Sequence, residues 1–182
     1  LELAIRRHHW VQTCVQVTIV FWWGQYVDQV YAFAPFIAAQ LVFAYGVDAL
    51  LQWSRRENYQ LGFGPFPIIF SINLFLWFKP EWFHWQFAMI LLGYLGKELI
   101  RWTKDGRSAH IFNPSSFPLG VCSLVLIATG MTEITWGQEI AQSQYNPPYI
   151  YAVIFLASIP GQLLFGVATM TVWAVVSAYT FG

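Results

Sequence analysis

The chain has 182 residues, of which 57% are hydrophobic and only 10% charged, with no net charge and a mean hydropathy of +0.50. Soluble domains carry about 25% charged residues, so this composition argues against an ordinary soluble surface and for lipid as the surrounding solvent. The zero net charge gives no field to attract nucleic acid.

Six apolar stretches follow one another. Residues 11–30, 32–51, 62–78, 82–99 and 114–132 each approach the roughly 20 apolar residues that cross a bilayer. The last stretch, 149–181, is too long for one upright crossing. Pro160-Gly161 inside it predicts a kink, because proline removes an intrahelical hydrogen bond. The expectation is therefore an all-α integral membrane fold of about six transmembrane helices, forming one polytopic domain over residues 1–182. The sequence opens on Leu1 and stops after an apolar run, so it is expected to be part of a longer chain.

Basic residues set the expected orientation. Arg6 and Arg7 precede the first stretch, Arg55 and Arg56 follow the second, and Lys97, Arg101, Lys104 and Arg107 close the fourth. Only Lys79 falls on the other side, which by the positive-inside rule places the N-terminus in the cytoplasm. Nine of the ten tryptophans lie near stretch ends or in loops, where amphipathic rings meet headgroups. The chain is expected in the inner membrane of a bacterium, multi-pass, with lipid and other membrane subunits as partners.

Asp28 and Asp48 are acids in or near these stretches. Intramembrane acids are costly and can mark ion paths, but both lie close to stretch ends, where snorkelling, or pairing of Asp48 with Arg55 or Arg56, is the simpler account. His8 and His9 are expected to touch lipid. His84, among Trp82, Phe83 and Trp85, reads as an interfacial residue. Cys14 and Cys122 lie in apolar surroundings and make no metal site by themselves. No catalytic or metal-binding motif is present in the sequence.

The richest segment runs from Gly96-Lys97-Glu98 to Phe112-Asn113-Pro114-Ser115-Ser116. Asn113 is a favoured helix cap, Pro114 suits the first helical position, and Ser115 and Ser116 add hydroxyls. A helix start facing Lys104, Arg107 and His110 is a recipe for holding an anion; the alternative is a well-capped helix whose cations touch lipid phosphates.

This segment resembles the RnfD/NqrB family, membrane subunits of ion-translocating, flavin-containing electron-transfer complexes. Gly64-Pro65-Phe66-Pro67 and Lys79-Pro80-Glu81-Trp82 resemble the preceding hairpin of that family. The resemblance implies electron transfer coupled to sodium or proton movement. It makes Lys97, Asn113, Pro114, Ser115 and Ser116 candidate flavin-site or ion-path residues, and Arg107 and His110, from the anion recipe above, join them as candidate cofactor-binding residues. Family members attach FMN covalently through a Ser-x-Ala-Thr-like motif, which is missing between residues 131 and 148. The implied flavin is therefore non-covalent FMN or riboflavin. The alternative is a flavin-free structural membrane subunit of a larger redox or photosynthetic complex.

Overall fold

A computed structural model describes residues 2–3, 5–55, 59–104, 106–145, 148–164, 166 and 168–181. Arg56, the Asn146-Pro147 turn and Val167 lie outside the described residues, as do the side chains of Lys104 and Arg107. The elements in order are β1 (Glu2–Leu3), α1 (Arg7–Gly24), α2 (Asp28–Ala32), α3 (Ala34–Arg55), β2 (Gln60–Leu61), α4 (Pro65–Asn73) and α5 (His84–Leu99). There follow β3 (Arg101–Lys104), β4 (Arg107–His110), α6 (Ser116–Thr129), α7 (Gly137–Tyr145), α8 (Pro148–Leu164) and α9 (Ala168–Phe181).

The expectation of about six transmembrane helices is corrected. Among the described residues only α3, with 22 residues, is long and apolar enough to cross a membrane. At about 1.5 Å per residue it reaches about 33 Å, against a hydrocarbon core of about 30 Å. The other stretches are interrupted by local chemistry. The first ends at Gly24, where the Tyr31 ring leaves no room for a Cβ, and α1 itself carries polar Gln12, Thr13, Gln16 and Thr18.

In the third stretch helix α4 covers nine residues and then gives way to an extended segment. Gln86 holds that segment, its Nε2 donating to the Leu76 carbonyl at 3.1 Å and its Oε1 accepting from Phe78 N–H at 3.3 Å. The fourth stretch yields 16 helical residues in α5, and the fifth yields 14 in α6. Helix α6 closes on Gly130 in the left-handed conformation, with φ +68°. In the last stretch Pro160 stays inside α8, and the chain breaks instead at Gly166, with φ +67°.

Helix α1 packs on α4 and α8, α3 on α4 and α5, and α5 on α6. The main core gathers Ile37, Ala44, Ile69, Ile72, Met89, Ile90 and Tyr94 from α3, α4 and α5. Buried amides link the same helices. Asn73 Nδ2 donates to Gln40 Oε1 at 2.7 Å, and Gln16 Nε2 donates to Ser71 Oγ at 2.8 Å. The outward faces are strongly apolar, with Val42, Leu50 and Trp53 on α3, Leu124 and Ile127 on α6, and Met170 and Trp173 on α9 exposed.

Candidate functional site

Four elements converge at one end of the bundle: the start of α1, the last turns of α3 and α5, and the β3–β4 hairpin. The hairpin is antiparallel, pairing Arg101 with His110 and Lys104 with Arg107, and Gly106 supplies the positive φ that its tight turn requires. Strands β1 and β2 pair in parallel beside it, Glu2 with Gln60 and Leu3 with Leu61.

Asp48 is the centre of this end. It is 5% exposed, and each carboxylate oxygen has its own donor. Lys97 Nζ of α5 reaches Oδ1 at 3.1 Å, and Gln52 Nε2, one helical turn on, reaches Oδ2 at 2.6 Å. Gln52 Oε1 accepts the backbone N–H of Gln60 at 3.1 Å, which ties β2 to α3. Among the described residues the ion-pair partner of Asp48 is thus Lys97. Arg55 donates from Nη1 to the carbonyl of Glu98 at 2.9 Å.

Glu98 is buried as well, with Arg101 Nη1 at 3.6 Å from its carboxylate. Arg101 also donates from Nε to Ser108 Oγ at 3.0 Å, which fastens the hairpin across its own strands. A polar cavity of about 420 Å³ opens among these groups. Among the described residues its wall presents three cations, Arg6, Lys97 and Arg101, and two carboxylates, Asp48 and Glu98.

His9 and His110 complete that wall. Burial lowers the His9 pKa to about 4, helped by the charges of His8, Arg6 and Lys97. Burial also lowers that of His110, helped by Lys97 and Arg101 and opposed by Glu98. Both rings are therefore neutral near pH 7. His9, expected against lipid, is half-buried in this cavity instead.

The start of α6 forms a separate unit. Asn113 Oδ1 accepts from the backbone N–H of Ser115 at 2.9 Å, from that of Ser116 at 3.2 Å, and from Ser115 Oγ at 2.7 Å. Phe117 N–H donates to the Asn113 carbonyl at 3.0 Å, and position 118 is proline. The first N–H groups of this helix are thus bonded within the turn itself. The Pro114 carbonyl lies against the backbone of Gly93 on α5.

Of the residues singled out in the sequence, Lys97, His110 and Asp48 meet at the polar cavity. Asn113, Pro114, Ser115 and Ser116 stand apart at the α6 start. Arg107 lies on β4 opposite Lys104, its side chain outside the described residues, and Asp28 begins α2 at the far end of the bundle, exposed. Arg101, Glu98, Gln52 and His9 were not singled out as site residues. A usable signal existed for two pairs: Asp48 with Gln52, and Glu98 with Arg101, are spaced by one helical turn. Among the described residues no group of three or more His, Cys, Asp and Glu is placed to hold a metal ion.

A buried carboxylate shared between an ammonium and an amide, beside a polar cavity, can exchange its ammonium partner for a proton or a small cation. The surplus cation of the wall can instead hold an anionic group. No family model, no curated protein and no solved structure matches the chain.

Proposed function

We propose that this chain is a membrane subunit of an RnfD/NqrB-like electron-transfer complex that couples redox chemistry to sodium or proton movement. It works at the inner membrane of a bacterium, with α3 in the bilayer. The observation that carries the membrane part is the inverted polarity of α3. Its buried stripe is Ile37, Gln40, Ala44, Asp48 and Gln52, while Val42, Leu50 and Trp53 face outward. Polar groups inside and apolar groups outside suit a helix surrounded by lipid or by other membrane subunits, and an ionisable residue in such a helix is a functional candidate.

The redox part rests on the resemblance of residues 96–116. In this reading the polar cavity takes the coupling cation at Asp48, with Lys97 as the group it displaces. A non-covalent FMN or riboflavin lies near His110 and Lys97. The chain's own residues supply charge, hydrogen bonds and position, and the flavin supplies the electron chemistry.

The test is an absorbance and fluorescence spectrum of the purified native complex, taken before and after acid precipitation. Flavin released into the supernatant is the expected result. Flavin retained by this chain would mean covalent attachment and overturn the non-covalent reading. A colourless complex would overturn the redox proposal and leave a flavin-free structural subunit.

A further inference from the structure

The opposite end of the bundle holds a second cavity of about 280 Å³ with walls of a different chemistry. The end of α1, the segment before α3, and the residues around 77 and 136 bring Trp23, Phe33, Trp77, Trp136 and Ile140 to its surface. Phe33 and Trp77 stack at 4.6 Å with planes 7° apart, and Trp23 lies 5.3 Å from Trp77.

The backbone fixes these rings. Trp136 N–H donates to the Trp77 carbonyl at 2.7 Å, and Lys79 N–H donates to the Ile134 carbonyl at 2.9 Å. The Trp23 indole donates to Ser143 Oγ at 3.1 Å. The indole N–H groups of Trp77 and Trp136 have no acceptor among the described residues, and both nitrogens are sealed from bulk solvent. Buried indoles ordinarily find a partner. Both residues line the cavity, and because neither nitrogen has surface open to it, a ring must turn before its N–H can meet a bound acceptor.

We propose that this cavity binds an uncharged, flat ring compound bearing a carbonyl, with either indole turning slightly to donate to that oxygen. Aromatic walls favour a flat ligand. Glu139 at the wall opposes an anion. A cation offers no lone pair to an N–H, and Lys79 already sits over the Trp136 ring at 5.1 Å. The volume lies near the lower end of ligand sites, about 300 Å³, and admits one or two fused rings. This site is independent of the function proposed for the polar cavity.

Coumarin and naphthalene test it, being two-ring compounds of similar shape with and without a carbonyl. The full chain, labelled with ¹⁵N-tryptophan in detergent micelles, is titrated with each, and the indole signals are assigned through Trp77→Phe and Trp136→Phe. Coumarin is expected to shift the Trp77 or Trp136 indole signal saturably and to bind about fivefold more tightly than naphthalene, the worth of one hydrogen bond. Equal affinity of the two compounds, or no saturable shift of either indole, would overturn the proposal. So would displacement of coumarin by tetramethylammonium, which would mark a cation site. The affinity ratio of coumarin to naphthalene is read on the unsubstituted chain, so that arm decides the proposal even where a variant fails to fold.

Discussion

Replacing Gly93 by alanine tests how α5 and α6 are joined. Gly93 faces the start of α6, and a Cβ there would collide with the Pro114 carbonyl oxygen and approach Pro118 Cγ to 3.0 Å. Neither neighbour yields easily. The Pro114 carbonyl is backbone, fixed between the capping network of Asn113 and the rigid ring of Pro118. Alanine gains about 0.5–1 kcal/mol over glycine in a helix, whereas overpacking a fitted contact costs about 1–3 kcal/mol. The clash wins, for a net loss of about 1–2 kcal/mol. In a chain of this length that lowers the melting temperature by about 3–6 °C. Gly46 of α3 and Gly120 of α6 are the controls, because a Cβ at either meets nothing within 4 Å. Alanine there should stabilise by about 0.5–1 kcal/mol. Thermal unfolding of the purified chain in detergent, followed by circular dichroism, reads all three. A Gly93→Ala variant as stable as the parent would refute the close packing of these helices.

Lys97→Met leaves Asp48 buried with Gln52 as its one remaining donor among the described residues, and should cost about 3 kcal/mol in chemical unfolding. Adding Asp48→Asn should recover most of that loss; a double variant no more stable than Lys97→Met would show that the two side chains are not coupled. Asn113→Ala removes the acceptor of three hydrogen bonds at the α6 start and should cost about 1 kcal/mol by the same measurement. The folded chain holds His9 neutral, with its pKa lowered from 6.5 to about 4, so the unfolded chain binds more protons between those values. Stability is therefore fully present above pH 6.5 and falls as the pH drops toward 4. His9→Gln should flatten the decline in melting temperature between pH 7 and pH 5, and an unchanged decline would remove His9 as its source.

Part of this fold was legible in the sequence. Residues 32–51 anticipate α3 because that stretch is apolar, uninterrupted and free of glycine at a crowded position. The cap at Asn113 was legible because Asn-Pro-Ser-Ser is local chemistry that needs no tertiary partner. The shortening of the other stretches was not. It depends on contacts from the next segment of chain, such as Gln86 capturing the segment after α4, or Tyr31 folding over Gly24, which hydropathy does not register. Hydropathy likewise says nothing about the depth of Pro160, which α8 tolerates. The polar cavity shows the same division. Asp48 and Lys97 stood out one at a time, but their meeting depends on α3 packing against α5, and no periodicity within either helix encodes it. The hairpin read only as basic residues closing the fourth stretch, although Asp105-Gly106 is a strong two-residue turn signal.

The Asp48–Lys97 pair also bears on why this end of the bundle is built as it is. Withdrawing two charges from water costs several kcal/mol per ion, and a well-packed apolar pair is often as stable or more so. Stability alone therefore does not account for a buried carboxylate in the one described helix fit to cross a membrane. The neighbouring groups sharpen the point. Gln52 satisfies the second carboxylate oxygen, so Asp48 keeps a bonded partner when Lys97 swings away. The Lys97 side chain is the more exposed of the two, at 24% against 8% for the side chain of Asp48, and faces the polar cavity. A twice-bonded carboxylate beside a more exposed ammonium is what the proposed replacement of the lysine by a cation or proton requires.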